Sequence, residues 1–337
     1  MAAPAAAALD VVGIGNALVD VLTHADDDFL DSHGMVKGTM ALVPTEEAAN
    51  ELYDDMDAGL ESSGGSVANT IAGIAGLGGR AGFIGRIRDD QLGAVFAHDL
   101  GALGVTFTAT PATDGPSTGR CLILVSPDAE RTMNTYLGAS GLLGPDDVDI
   151  DADLVASAAI TYLEGYLFDS PANREAYRRA SEIARAAGRR VGVTLSDVFC
   201  VERHRDEWLS LVVDHVDVLF GNEAELRALY QLDDFDACVD AVREHVDIAA
   251  ITRSEHGSVV ATPGETIAVP AYPIERIVDT TGAGDLYAAG FLYGLTHERS
   301  LEDCARLGAL AAAEVISHTG PRPEADLAAL AKHAGLL

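Results

Sequence analysis

Residues 279–294 read DTTGAGDLYAAGFLYG and set three features side by side: the small run Gly282, Ala283, Gly284, the carboxylate of Asp285, and a helix pattern that starts there. A helix start leaves backbone N–H groups unpaired and carries positive partial charge. It can therefore cradle a phosphoryl group where side chains do not obstruct the approach. Asp285, on the same first turn, can take the proton from an attacking hydroxyl while the amides of Gly282, Ala283 and Gly284 stabilise the charge in transfer. The plainer alternative is a glycine turn with Asp285 as N-terminal cap. Other constellations offer less. Cys200 and His204 in CVERH supply two soft ligands where Zn²⁺ takes three or four, which favours a helix surface. Gly13, Gly15 and Asn16 follow a strand, but the third glycine of GxGxxG falls on Leu18, so the dinucleotide fingerprint fails, and no P-loop lysine motif exists. His24, His33 and His98 lie in polar stretches without partners and receive no role.

A loop of this kind needs a scaffold. Short β-rich apolar runs at 9–14, 81–84, 159–163, 191–195, 216–220 and 248–252 alternate with helical patterns at 69–77, 171–187, 236–245 and 285–295. That alternation predicts an α/β fold with a mostly parallel sheet flanked by helices. Two strips, 16–43 and 104–137, break the rhythm and read as strand and turn rather than helix. In the second, 120–126 and 131–137 flank Pro127 and Asp128, a turn pair that predicts a hairpin. Both strips are read as a small β-sheet projecting from the main domain.

The 337 residues suffice for two average domains or one large α/β domain with an insertion. Lys and Arg total 22 against 53 Asp and Glu, a formal charge of −31, and Lys37 and Lys332 are the only lysines. This balance repels phosphate backbones and anionic lipids, which disfavours nucleic-acid and membrane partners and fits either a high-salt cytoplasm or a merely acidic soluble protein. Cys121, Cys200, Cys238 and Cys304 are scattered, form no CxxC, and suit a reducing cytoplasm. The opening MAAPAAAAL lacks the basic residues of a signal or transit peptide and reads as a frayed terminus. No run reaches membrane-spanning length; the best, 307–316, is broken by Glu314.

The 279–294 string resembles, almost residue for residue, the C-terminal signature of the ribokinase and adenosine kinase family. A second signature of that family lies at 64–93, GGSVANTIAGIAGLGGRAGFIGRIRDDQLG, and the spacing between the two is also the family's. VVGIGNALVDV at 11–21, YLEGYLFD at 162–169 and LFGNEAEL at 219–226 extend the resemblance over nearly the whole chain. It implies one ribokinase-like three-layer α/β/α domain over 1–337, with a β-sheet lid formed by 16–43 and 104–137. It also implies ATP-dependent phosphoryl transfer to a primary hydroxyl, with Asp285 as base and the 282–284 amides as anion hole. Asn222 and Glu225 match an NxxE motif that organises Mg²⁺ through its waters; taken alone they read as a helix cap and a solvated helix face. Asp20 would accept from two sugar hydroxyls, with Asn16, Gly65, Ser66 and Asn69 completing the contact, although a lone Asp20 reads as a surface strand residue. Thr252, Gly257 and the 318–323 stretch would flank ATP, the glycines being equally simple turns. Arg131 matches a position that brings a guanidinium toward the phosphates, an exposed lid arginine being the alternative. K⁺ near the 279–285 loop, with Asp279 and Ser317 as contributors, is a further family feature.

The nearest branch is the adenosine kinases, through GNALVD, LEGYLF, LSDVF and FGNEAEL. An apolar, aromatic slot suits a purine base, and its candidates are Met40, Met133, Thr135, Tyr166, Leu167 and Phe199. Animal members carry an aromatic where Leu167 stands here. Inosine, guanosine or cytidine stay open as acceptors, as do ribose, fructose or a keto-deoxy sugar acid, and so does a catalytically silent nucleoside- or sugar-binding protein. Monomer and homodimer are both open.

Overall fold

The computed structural model describes residues 7–128 and 130–337, so most of the frayed-terminus expectation, at 1–6, lies outside the described residues. Its strands are β1 (Leu9–Ile14), β2 (Leu18–His24), β3 (Met40–Leu42), β4 (Leu60–Gly64), β5 (Ala81–Ile84), β6 (Thr106–Phe107), β7 (Gly119–Val125), β8 (Arg131–Tyr136), β9 (Ala158–Glu164), β10 (Arg190–Thr194), β11 (Val218–Asn222), β12 (Ile248–Thr252), β13 (Ser258–Ala261) and β14 (Thr266–Val269). A nine-stranded sheet runs β14-β13-β12-β11-β10-β9-β1-β5-β6, parallel from β6 to β12 and antiparallel through β13 and β14.

The apolar runs of the central strands are nearly continuous because both sheet faces are covered. Successive residues serve opposite layers: Val11, Ile160 and Tyr162 join one core cluster, while Val12, Ile14 and Leu163 join the other. The helices Ser66–Gly76, Ala283–Thr296 and Leu301–Val315 pack on the first face, and Pro171–Ala186 with Trp208 on the second. The result is a three-layer α/β/α arrangement. No helix among the described residues is long and apolar enough to cross a membrane.

A five-stranded sheet, β3-β8-β7-β2-β4, stands apart, with β7 and β8 as its hairpin. Its makeup departs from the two strips in three ways. Strand β4 lies outside both strips and pairs antiparallel with β2. Thr106 and Phe107 pair with β5 and so belong to the large sheet, where Phe107 packs on Phe83 and Phe96. Asp27–Ser32 is a helix inside the 16–43 strip, capped by Asp26, whose Oδ1 accepts from Phe29 N at 2.9 Å. A cap followed by two acids is the helix-start signal, outweighed in the sequence by the strand-like flanks.

Candidate active site

The carboxyl ends of β1, β9, β10, β11 and β12 open on a cavity of about 530 Å³, roofed by the small sheet. A crevice at the carboxyl ends of parallel strands is where open α/β sheets bind ligands. Alternation along the roof strands turns Leu18, Asp20, Cys121, Ile123, Met133 and Thr135 inward, joined by Met40 and Leu42. The floor carries Asn16, Glu164, Tyr166, Thr194, Asn222, Glu225 and Thr252, and the 280–285 loop closes one side.

Asp285 sits on the first turn of Ala283–Thr296, whose N-cap is Gly282 in the left-handed region at φ +80°. It is therefore not the cap. Its side chain instead reaches the helix Ser66–Gly76: Ser66 Oγ donates to Oδ1 at 2.6 Å and Asn69 Nδ2 to Oδ2 at 3.0 Å. Burial pushes Asp285 up to about 6, against which these two hydrogen bonds and the charge of Arg322 pull down. Ala283 N donates to Thr280 O at 3.2 Å, which removes it from the expected amide set, whereas the amides of Gly282 and Gly284 have no acceptor among the described residues. An added Cβ at Gly284 would meet nothing within 4 Å, so its backbone is open to a ligand.

Asp20 is a buried strand residue facing the cavity, not a surface one. Its carboxylate lies over Gly64 so closely that any Cβ there would collide with it. Among the described residues neither oxygen accepts a hydrogen bond, and burial raises Asp20 to about 6 while Arg322 and Arg131 oppose the rise. A carboxylate left without donors in a cavity is matched by a ligand that brings hydroxyls. Gly65 lines the cavity nearby, whereas Ser66 and Asn69 spend their donors on Asp285.

Asn16 is fully engaged. Its Nδ2 donates to Glu164 Oε1 at 2.6 Å, its backbone N to Oε2 at 3.2 Å, and its Oδ1 accepts from Ser140 Oγ at 2.9 Å. Glu164 Oε2 also accepts from Val67 N at 3.0 Å, so one buried carboxylate, raised to about 7 by desolvation, fixes both Asn16 and the start of the 66–76 helix. Glu164 stands in the string LEGYLF with no role legible from sequence. The available signal was an acid ending an otherwise apolar central strand.

Asn222 and Glu225 form a reciprocal capping box: Asn222 Nδ2 and N donate to Glu225 at 2.6 and 2.9 Å, and Glu225 N donates to Asn222 Oδ1 at 2.9 Å. The cap is real, but Glu225 is buried against the cavity rather than solvated, and burial lifts it to about 7.

Several expected residues fall elsewhere. Phe199 is 71% exposed and does not line the cavity, because Asp197 caps the helix Val198–Arg203 and turns Phe199 outward. Leu167 is buried in the core rather than the slot, so that of the expected aromatic candidates Tyr166 faces the cavity, where Phe220 and Tyr287 also line it. Gly257, at φ +81°, makes the β12–β13 turn, and a Cβ there would strike Val269 O. Arg131 neither lines the cavity nor stands exposed: its Nη2 lies 2.7 Å from Asp279 Oδ2, with both side chains buried. Cys200 is buried and lines the cavity instead of a helix surface, and His204 pairs with Asp169 at 3.1 Å. His33 has partners after all, Asp55 at 3.1 Å and a stacked Phe29.

Residues 35–327 match the family described as pfkB family carbohydrate kinase. A solved adenosine kinase from Sinorhizobium meliloti is 50% identical, covering 97% of this chain and 99% of its own, with a TM-score of 0.90. A "probable sugar kinase protein" from Rhizobium etli CFN 42 is 48% identical over 98% of this chain and 100% of its own, with a TM-score of 0.91. An ATP-dependent ribose-1-phosphate kinase of Halopiger xanaduensis is 32% identical over 284 residues, 81% of this chain and 88% of its own.

Proposed function

The chain belongs to the pfkB family of carbohydrate kinases, a phosphotransferase acting on a hydroxyl group, and from that premise we propose that it transfers the γ-phosphoryl group of ATP to the 5′-hydroxyl of a nucleoside, adenosine first. Asp285 takes the hydroxyl proton, the freed oxygen bonds to the γ-phosphorus, the bond to the β–γ bridging oxygen breaks, and ADP leaves. The amides of Gly282 and Gly284 face the charge that develops. Asp20 receives the ribose 2′- and 3′-hydroxyls. Thr252 and the adjoining strand ends flank the nucleotide.

Glu225 and Asn222 fit Mg²⁺ held through its waters rather than by direct chelation. Their carboxylate and amide already bond each other, and no group of three acidic, His or Cys side chains among the described residues could hold an ion. When bound, Mg²⁺ neutralises phosphate charge. Asp279 does not fit K⁺, since Arg131, Gly320 N and Thr281 N already occupy its oxygens.

One observation carries the choice of acceptor: the roof is uncharged apart from Asp20 and mostly apolar, Thr135 excepted, and Arg203 is the single cationic side chain among the described residues lining the cavity. Arg203 is itself paired with Asp169 at 2.9 Å. A ribose 1-phosphate or a sugar acid would bring a further anion to a cavity lined by Asp20, Glu164, Asp169, Asp197, Glu225 and Asp285, with the charges of Arg131 and Arg322 acting on Asp20 from outside that lining. A neutral base at C1 instead fills the space between Tyr166 and Met40, Leu42 and Met133, which a bare sugar leaves wet. The small sheet then acts as a lid, and the acidic, cysteine-reduced chain works in the cytoplasm. The test is ADP release and product mass with adenosine, inosine, guanosine, cytidine, ribose, ribose 1-phosphate, fructose and a keto-deoxy sugar acid. Adenosine is expected to give the highest kcat/KM; a free or phosphorylated sugar in that place would overturn the acceptor assignment.

A further inference from the structure

We propose that Arg322 is a positioning residue of this site, joining the C-terminal stretch to the small sheet and holding one fixed positive charge beside both Asp20 and Asp285. The inference rests on the reading of those two carboxylates given above. Three consecutive residues make the connection. Gly320 N donates to Asp279 Oδ2 at 2.8 Å. Pro321 lies against Gly282, where an added Cβ would come within 2.9 Å of Pro321 Cα. Arg322 Nη2 donates to Ser63 O at 3.0 Å and Ser63 Oγ at 3.1 Å. Ser63 pairs with Val19 on β2, next to Asp20. The stretch therefore touches the start of the phosphoryl loop, the helix N-cap and the acceptor strand in turn.

The guanidinium is poorly satisfied as a structural group. Nε and Nη1 are buried with no hydrogen-bond partner among the described residues, and no carboxylate among them lies within 4.0 Å to form an ion pair. A neutral side chain could make the two bonds to Ser63 without stranding buried donors, which are costly. What only a cation supplies is its field. Asp20, Asp99 and Asp285 are the acids that feel it, Asp99 being held by Ser63 N at 2.8 Å. Asp20 also faces Arg131, Asp285 and the Cys121 thiol, and Asp285 faces Ser66 and Asn69, with Tyr162 and Glu164 nearby. Burial lifts Asp20 and Asp285 to about 6, and Arg322 opposes the rise in both. Its own pKa falls only to about 10, so it stays charged through neutral pH.

The experiment compares kcat/KM against pH for the wild type, Arg322→Gln and Arg322→Lys, using whichever acceptor of the panel is turned over. The wild type should lose activity below about pH 6. Arg322→Gln should move that acid limb up by about 1 pH unit, roughly a fivefold loss at pH 6 that approaches tenfold at about pH 5 and nearly vanishes at pH 8.5, and Arg322→Lys should leave the limb near its wild-type place. A limb unmoved in Arg322→Gln, or moved equally in both variants, overturns the inference while leaving the base assignment intact. A wild type with no acid limb overturns the base assignment, and the inference with it. If Arg322→Gln does not fold, Ser63→Ala, which removes one acceptor of the guanidinium, is expected to shift the limb in the same direction by less, and a folded Ser63→Ala with an unmoved limb refutes the role.

Discussion

Asp285→Asn separates catalysis from stability at one atom pair. The substitution keeps the shape and leaves the free amides of Gly282 and Gly284 untouched, so phosphate binding should survive while the base is lost. Loss of a general base costs about 10²–10⁴-fold in kcat. Stability should move the other way. A carboxyl raised from 3.8 to about 6 is destabilised when ionised in the fold, by about 3 kcal/mol at full ionisation. Because the folded pKa lies above the unfolded one, that cost is absent below about pH 4, grows between about pH 4 and 6, and is complete above. Asparagine escapes it but can accept only one of the two donors, Ser66 Oγ and Asn69 Nδ2, which returns about 1 kcal/mol. The net expectation is a protein about 1–2 kcal/mol more stable at pH 8 and no more stable than wild type at pH 4. Thermal melts at both pH values, with ADP release and ATP titration at pH 8, measure all of it. Turnover within tenfold of wild type would refute the base assignment; a lower melting temperature at pH 8 would refute the burial argument.

Asp20→Asn should raise KM for the nucleoside by about 10-fold or more, and 2′- and 3′-deoxyadenosine should be correspondingly poor acceptors of the wild type, read by steady-state kinetics; equal kinetics for ribo and deoxy forms would remove the diol contact. Tyr166→Ala should weaken nucleoside binding by about 10-fold while Phe199→Ala changes it less than about 2-fold, since one ring faces the cavity and the other solvent, and the reverse ranking would return Phe199 to the slot. With a formal charge of −31, the melting temperature should rise from low to molar KCl as self-repulsion is screened, and a flat profile would remove the high-salt reading.

The α/β/α core was legible because strands such as LDVVGI and AGFI are buried on both faces and leave unmistakable apolar runs. Strand β4 was not, because LESSG pairs through backbone bonds along its neighbour β2 and carries almost no apolar side chains. At the site, glycines and acids that meet a ligand through backbone or through one carboxylate could be read from local strings. Side-chain orientation could not: Tyr166 and Leu167 differ by one position in a 3-10 turn, and that single step sends one ring to the cavity and the other side chain to the core. The contacts of Arg131 and Arg322 leave no local signal for a related reason, as their partners Asp279 and Ser63 lie far away in sequence.

Those two arginines cross in opposite directions. Arg131 leaves the small sheet for Asp279 beside the phosphoryl loop, and Arg322 leaves the large domain for Ser63 on the small sheet. The Arg131–Asp279 pair is buried and the Arg322–Ser63 contact part-buried, so mobile ions reach them less than they reach the surface acids. The molecule thus carries two electrostatic regimes that respond differently to its surroundings. Salt is expected to act on the stability of the whole through the outer carboxylates and much less on the docking of one sheet over the other.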